Sequence, residues 1–192
     1  GQSSTKPKST NFPDSPAQQP TRPLTRPAAA DQPELAANAQ PWLRFMAVAL
    51  DEMMVKWPPN SPTQGRQMDW FADLKARPGD RALLYLPVGV GKTFVALRWL
   101  LWKLAAAGAN LSATAGGLFL VPNEWIEQTV RNDLALVEKR AKVLALQEGV
   151  TMGQGCITLA RPGKVPEAAR WAAAVADEVH NWKPLAKRPS QR

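Results

Sequence analysis

Pro87-Val88-Gly89-Val90-Gly91-Lys92-Thr93 places two glycines directly ahead of a cation and a hydroxyl. Gly89 and Gly91 permit the backbone to curl so that successive N–H groups, Val90 among them, point inward at an anion. The positive end of a helix opening at Lys92 strengthens that field. In this arrangement Lys92 reaches the β- and γ-phosphates of a nucleotide and the Thr93 hydroxyl ligates Mg²⁺. A second chemical pair, Asp177-Glu178, follows Ala172-Ala173-Ala174-Val175-Ala176. An Asp at the carboxyl end of a strand beside the phosphate loop holds Mg²⁺ through water, and the next Glu polarises the attacking water. The loop is not a full Gly-x-x-x-x-Gly-Lys-Thr, because Leu86 occupies the first glycine's place.

These groups need elements to position them. Ala82-Leu83-Leu84-Tyr85-Leu86 is a short apolar run that suits a buried strand ahead of the loop, and Thr93 to Ala107 suits a helix closed by Gly108. Upstream, Trp42 to Val55 has the mixed three-and-four spacing of a helix stopped by Trp57-Pro58-Pro59. Gln64 to Lys75 presents Met68, Phe71 and Leu74 on one helical face. Downstream, the order is a strand over Gly117 to Val121, a helix from Glu124 to about Lys139, and strands over Lys142 to Leu146 and Cys156 to Leu159. Strands alternating with helices predict an α/β fold, a parallel sheet covered on both faces. Ala is a poor strand former, so Pro166 to Trp182 also reads as one Ala-rich helix with a solvated acidic pair. The upstream loop favours the strand.

Composition narrows the classes. The chain has 192 residues and a net charge of +8, enough for one ordinary domain plus a tail. Eleven of its 18 prolines precede residue 63. Residues 1 to 41 are polar and Pro-rich and are expected to form a disordered arm, leaving a globular part of roughly 150 residues. Gly1 and Thr5 fit an N-myristoylation pattern, but Met removal or cleavage of a longer chain leaves the same Gly. One cysteine, Cys156, excludes a disulfide framework and reads as a small buried apolar residue. One histidine, His180, speaks against a His-rich metal site. No apolar run reaches the roughly 18 residues that span a bilayer. No secretory signal is visible, and a lone cysteine suits a reducing, intracellular compartment, cytoplasmic or nuclear.

The order and flanks of these stretches resemble the first RecA-like lobe of superfamily 2 helicases and translocases, most of all the Swi/Snf-type and related DExH ATPases. Pro62-Thr63-Gln64 with Trp70-Phe71 is similar to the Gln-bearing segment of that family, and Leu86 to Thr93 to its motif I. Leu118-Phe119-Leu120-Val121-Pro122 with Trp125 and Gln128 resembles motif Ia, and Asp177-Glu178-Val179-His180 the DEAH form of motif II, with Asn181-Trp182-Lys183 as its polar tail. The resemblance covers about residues 60 to 184 and implies a RecA-like lobe over 42 to 184 that binds ATP and Mg²⁺. It implies that Gln64 reads adenine, that Gly89, Val90, Gly91, Lys92 and Thr93 hold the phosphates, and that Thr93 and Asp177 bind the metal. It implies too that Glu178, which activates water, and Lys92, which holds the phosphates, are the catalytic residues, that His180 contacts the γ-phosphate side or the coupling motif, and that the loop at Pro122 touches a nucleic-acid backbone. The Ser-Ala-Thr motif and the second lobe with its arginine fingers do not follow motif II in this sequence. The resemblance therefore implies half of a two-lobed machine, which binds nucleotide and hydrolyses it slowly unless a partner completes it.

The basic balance favours polyanions. Residues 185 to 192 form a basic tail, and Lys183, Lys187 and Arg188, with Arg161, Lys164 and Arg170, are candidates for salt-sensitive contacts to nucleic-acid phosphates. A solvated tail is the plain alternative. Of the eight tryptophans, Trp99 and Trp102 are expected in the core, and Trp182 is the better stacking candidate. Two rival functions stand beside the ATPase. One is a catalytically inactive helicase-derived scaffold that binds nucleic acid or a protein through basic ends. The other is a phosphate-loop kinase or GTPase, for which the base-recognition motif Asn-Lys-x-Asp is missing.

Overall fold

A computed structural model of the protein describes residues 40–78, 81–108, 115–166 and 170–179. The expected arm as far as residue 39, the basic tail, His180, Trp182, Lys183, Lys187 and Arg188 lie outside the described residues, while Pro41, expected to end the arm, opens the first helix.

Helix α1 (Pro41–Lys56) opens with Pro41 at its first position, where the missing N–H costs nothing. It is buried around most of its girth at Trp42, Leu43, Phe45, Met46, Leu50 and Met54 because it packs against three other helices. It ends at Trp57, whose peptide to Pro58 is cis. Helix α2 (Arg66–Ala76) starts after Gly65, which takes a left-handed φ of 77°, and buries Phe71 and Leu74 as expected. Gln67, three residues after Gln64, is buried with them.

Helix α3 (Lys92–Ala107) starts at the lysine of the loop and buries Val95, Leu97, Leu100, Leu101 and Leu104 completely. It lies against strand β1 (Ala115–Leu120) closely enough that a Cβ at Gly117 would stand 3.0 Å from Leu104 Cδ1. Helix α4 (Glu124–Gln147) is capped by Asn123, whose Oδ1 accepts from the Ile126 N–H at 2.9 Å.

Strands β2 (Ile157–Ala160) and β3 (Arg170–Ala176) flank β1 in the order β2-β1-β3, all parallel. Leu118 stands opposite Thr158 on one side and Ala174 on the other. The result is an α/β fold, a small three-stranded parallel sheet flanked by helices. The alanine-rich segment ahead of Asp177 is the strand and not the helix. No described helix is long and apolar enough to cross a membrane.

Three expectations are corrected. Lys142 to Leu146 is no strand but the last turns of α4. Ala141 and Ala145 extend the buried stripe of Val130 and Val137 at helical spacing, and no Pro or Gly interrupts the helix before Gly149. Ala82 to Leu86 is not a strand either, since residues 81–87 run without sheet partners. Leu83 and Tyr85 are 79% and 94% exposed, while Leu84 packs against the core. Apolar residues alone do not make a strand where no edge offers hydrogen bonds. Finally, cover on both faces does not extend to β3. Ala173 and Val175 turn to the core while Ala172, Ala174 and Ala176 are exposed, the alternation of a strand packed on one side.

Candidate functional site: a glycine loop facing an acidic pair

Gly89 and Gly91 both adopt left-handed φ, 81° and 86°. Only glycine takes these angles without strain, and at Gly91 space is also lacking: a Cβ would stand 2.9 Å from Trp57 Cδ1 and 3.0 Å from Gln67 Nε2. The carbonyl of Gly91 accepts from the N–H groups of Phe94 and Val95 at 3.1 and 3.3 Å, which starts α3. Gln67 pins the loop from below, donating from Nε2 to the Val90 carbonyl at 2.6 Å. Both groups are buried, so the bond is made in a medium that strengthens it.

Asp177 reaches the same place from the far end of the chain. Its N–H donates to the Leu120 carbonyl at 2.9 Å, which seats the acidic pair at the carboxyl edge of the sheet beside the Val121-Pro122 turn. Thr93 Oγ1 donates to Asp177 Oδ2 at 3.5 Å across 84 residues of sequence. Lys92 Nζ lies 3.1 Å from Glu178 Oε1 and donates to the Leu86 carbonyl at 3.4 Å. Glu178 holds a left-handed φ of 49°, unusual for a residue with a Cβ, while its N–H donates to Asp177 Oδ1 at 2.9 Å. Burial pushes the Asp177 carboxyl above the usual range, against which the Glu178 N–H, Lys92 and the Thr93 hydroxyl act. Among the described residues no group of three or more His, Cys, Asp or Glu gathers as a metal cage. Two hard oxygen donors, Thr93 and Asp177, do fit Mg²⁺, an ion that takes few protein ligands and keeps phosphates and waters.

A pocket of about 740 Å³ opens beside the loop, with Gly89, Gly91, Lys92, Thr93 and Glu178 in its wall. It extends past Trp57 and Pro59 to Glu52 and Arg140, which pair at 2.7 Å between α1 and α4. Its size is that of a small-molecule or cofactor site.

The structure thus brings Gly89, Val90, Gly91, Lys92, Thr93, Asp177 and Glu178 together. It places Gln64 elsewhere: exposed, outside the pocket wall, with Nε2 donating weakly to the Lys56 carbonyl at 3.4 Å. Pro122 is half-buried, and Trp125, three residues on, is 76% exposed. Arg161 is engaged by Glu124 at 3.2 Å and Glu127 at 3.0 Å, so acids of α4 already offset its charge. Trp99 and Trp102 pack against the core as expected, with Lys103 Nζ 5.4 and 5.1 Å from their ring centres. Cys156 is partly buried, and burial pushes its thiol up.

Sequence reasoning missed Trp57, read only as a helix stop, and Gln67, whose partner is 23 residues away. A buried polar residue in an otherwise apolar helical stripe was the available signal for Gln67. The chain matches no family model, no curated protein and no solved structure.

Proposed function

We propose that the protein binds ATP with Mg²⁺ as a RecA-like, helicase-type lobe of a nucleic-acid-dependent ATPase. The observation that carries this reading is the convergence of Lys92 and Thr93, at the start of α3, on Asp177 and Glu178, at the end of β3. A lysine and a hydroxyl at a helix N-terminus, facing an acidic pair on a neighbouring strand, is the donor set that triphosphate and a divalent ion require.

On this reading the loop amides and Lys92 take the phosphates. Thr93 and Asp177 hold the metal, which neutralises charge on the phosphate oxygens when bound. Glu178 is freed from Lys92 when phosphate takes its place, and then orients a water. The net charge of +8 supports a nucleic-acid partner bound through its backbone, with Pro122 and the basic carboxyl end as its contacts.

The test is a titration of a fluorescent ATP analogue with Mg²⁺ against wild type and Lys92→Ala. Binding by wild type that is lost in the variant supports the reading. Equal binding by both, or none by either, overturns it and favours the inactive scaffold, which the existing Lys92–Glu178 pair would suit. Competition by GTP in preference to ATP would point instead to a phosphate-loop kinase or GTPase.

A further inference from the structure

Trp57 stands where the pocket leaves the phosphate loop. One part of its ring system lies against the loop, its Cδ1 within 2.9 Å of where a Gly91 Cβ would be, and it meets Phe94 in an edge-type contact with centroids 6.1 Å apart at 67°. These contacts fix the indole, yet 41% of the residue remains exposed and it forms part of the pocket wall. An indole held by these contacts in a pocket wall, with two-fifths of the residue exposed, offers a surface for stacking. Pro59 and the Glu52–Arg140 pair line the same pocket. A triphosphate seated on Gly89 to Thr93 therefore has a ready direction for the rest of the molecule, along Trp57, and Gln64 does not border that path.

We infer that Trp57 is the stacking platform for the base of the bound nucleotide. This rests on the nucleotide reading of the loop and adds to it the residue that distinguishes a nucleotide from bare triphosphate. Because Trp57 also touches the loop at Gly91, a purely supporting role must be told apart from a base-binding one. Inorganic tripolyphosphate makes that separation, since it engages the loop and has no base.

The experiment measures Kd for MgATP and for magnesium tripolyphosphate with wild type, Trp57→Ala and Trp57→Phe, with circular dichroism to check the fold. The expected result is a roughly tenfold or larger loss of MgATP affinity in Trp57→Ala, from lost stacking. Tripolyphosphate affinity stays within about twofold, and Trp57→Phe recovers most of the MgATP affinity. If Trp57→Ala does not fold, Trp57→Leu, which keeps apolar bulk without an aromatic face, takes its place with the same expectation. A parallel loss of both ligands shows that Trp57 only supports the loop and overturns the inference, as does unchanged MgATP binding. Wild type that binds tripolyphosphate as tightly as MgATP leaves the phosphate site standing and overturns the base platform alone. Wild type that binds neither overturns the nucleotide reading and this inference with it.

Discussion

Lys92 is engaged by the acidic pair, lying 3.1 Å from Glu178 Oε1, with both side chains about one-fifth exposed. A phosphate that takes Lys92 must displace that carboxylate. Glu178→Gln removes the competing charge while preserving shape, so MgATP affinity is expected to rise by a few-fold, the scale of a partly exposed ion pair. Hydrolysis should fall at the same time, because an amide does not draw a proton from water. Equilibrium titration and phosphate release on the same variant check both, and weaker MgATP binding would contradict the pairing as a competitor. The loop glycines were legible from residue types, since only the backbone chemistry of glycine allows φ of 81° and 86° at Gly89 and Gly91. Gln67 and Trp57 were not, because what they do depends on the Val90 carbonyl and the Gly91 backbone, which other segments of the chain bring to them.

Between elements, a buried ion pair of Arg98 with Asp51 joins α3 to α1, with Nε 2.7 Å from Oδ1. Arg98 is fully buried and its guanidinium lies 4.4 Å from the centre of the Phe71 ring, so the same side chain reaches α2. Removing one partner leaves a buried charge, and Asp51→Ala is expected to cost about 3–5 kcal/mol. The paired replacement Asp51→Leu with Arg98→Met should recover most of that loss, since a well-packed apolar pair often matches a buried ion pair. Urea unfolding of the single and double variants reads both; a mild Asp51→Ala would show that Arg98 finds other compensation. In sequence, nothing local to Arg98, a lone cation in the apolar helix, marks a partner 47 residues away. The error at Lys142 to Leu146 is of the same kind: Val143, Leu144 and Leu146 fit either period, and the packing of Ala141 and Ala145 in α4 decides for the helix.

At the scale of the whole molecule, the described sheet has three strands, and the apolar segment before the glycine loop pairs with none of them. The resemblance to helicase lobes implies that a second lobe closes over the nucleotide. On that reading the isolated chain brings Lys92, Asp177 and Glu178 to the reaction, without an arginine from the opposite side. Its MgATP turnover is expected on the order of 10⁻⁴ to 10⁻³ s⁻¹, the scale of a phosphate-loop enzyme without an arginine finger. A steady-state phosphate-release assay checks this, and a turnover above about 1 s⁻¹ would show that one lobe completes the charge stabilisation alone.

The sequence by itself determined the glycine loop, the helix that opens on Lys92 and the α/β class, because each follows from local backbone chemistry or from periodicity within one element, whereas the alanine-rich segment before Asp177 fitted a helix as well until the sheet claimed it as β3. Tertiary structure alone decided that Thr93 and Asp177 meet across 84 residues. It also decided that Trp57 and not Gln64 borders the pocket, and that Leu83 and Tyr85 stay exposed where a strand was expected. The physical reason is shared: a strand needs an edge to bond, and a pocket wall needs neighbours. Both are properties of segments far apart in the chain, which no local pattern encodes.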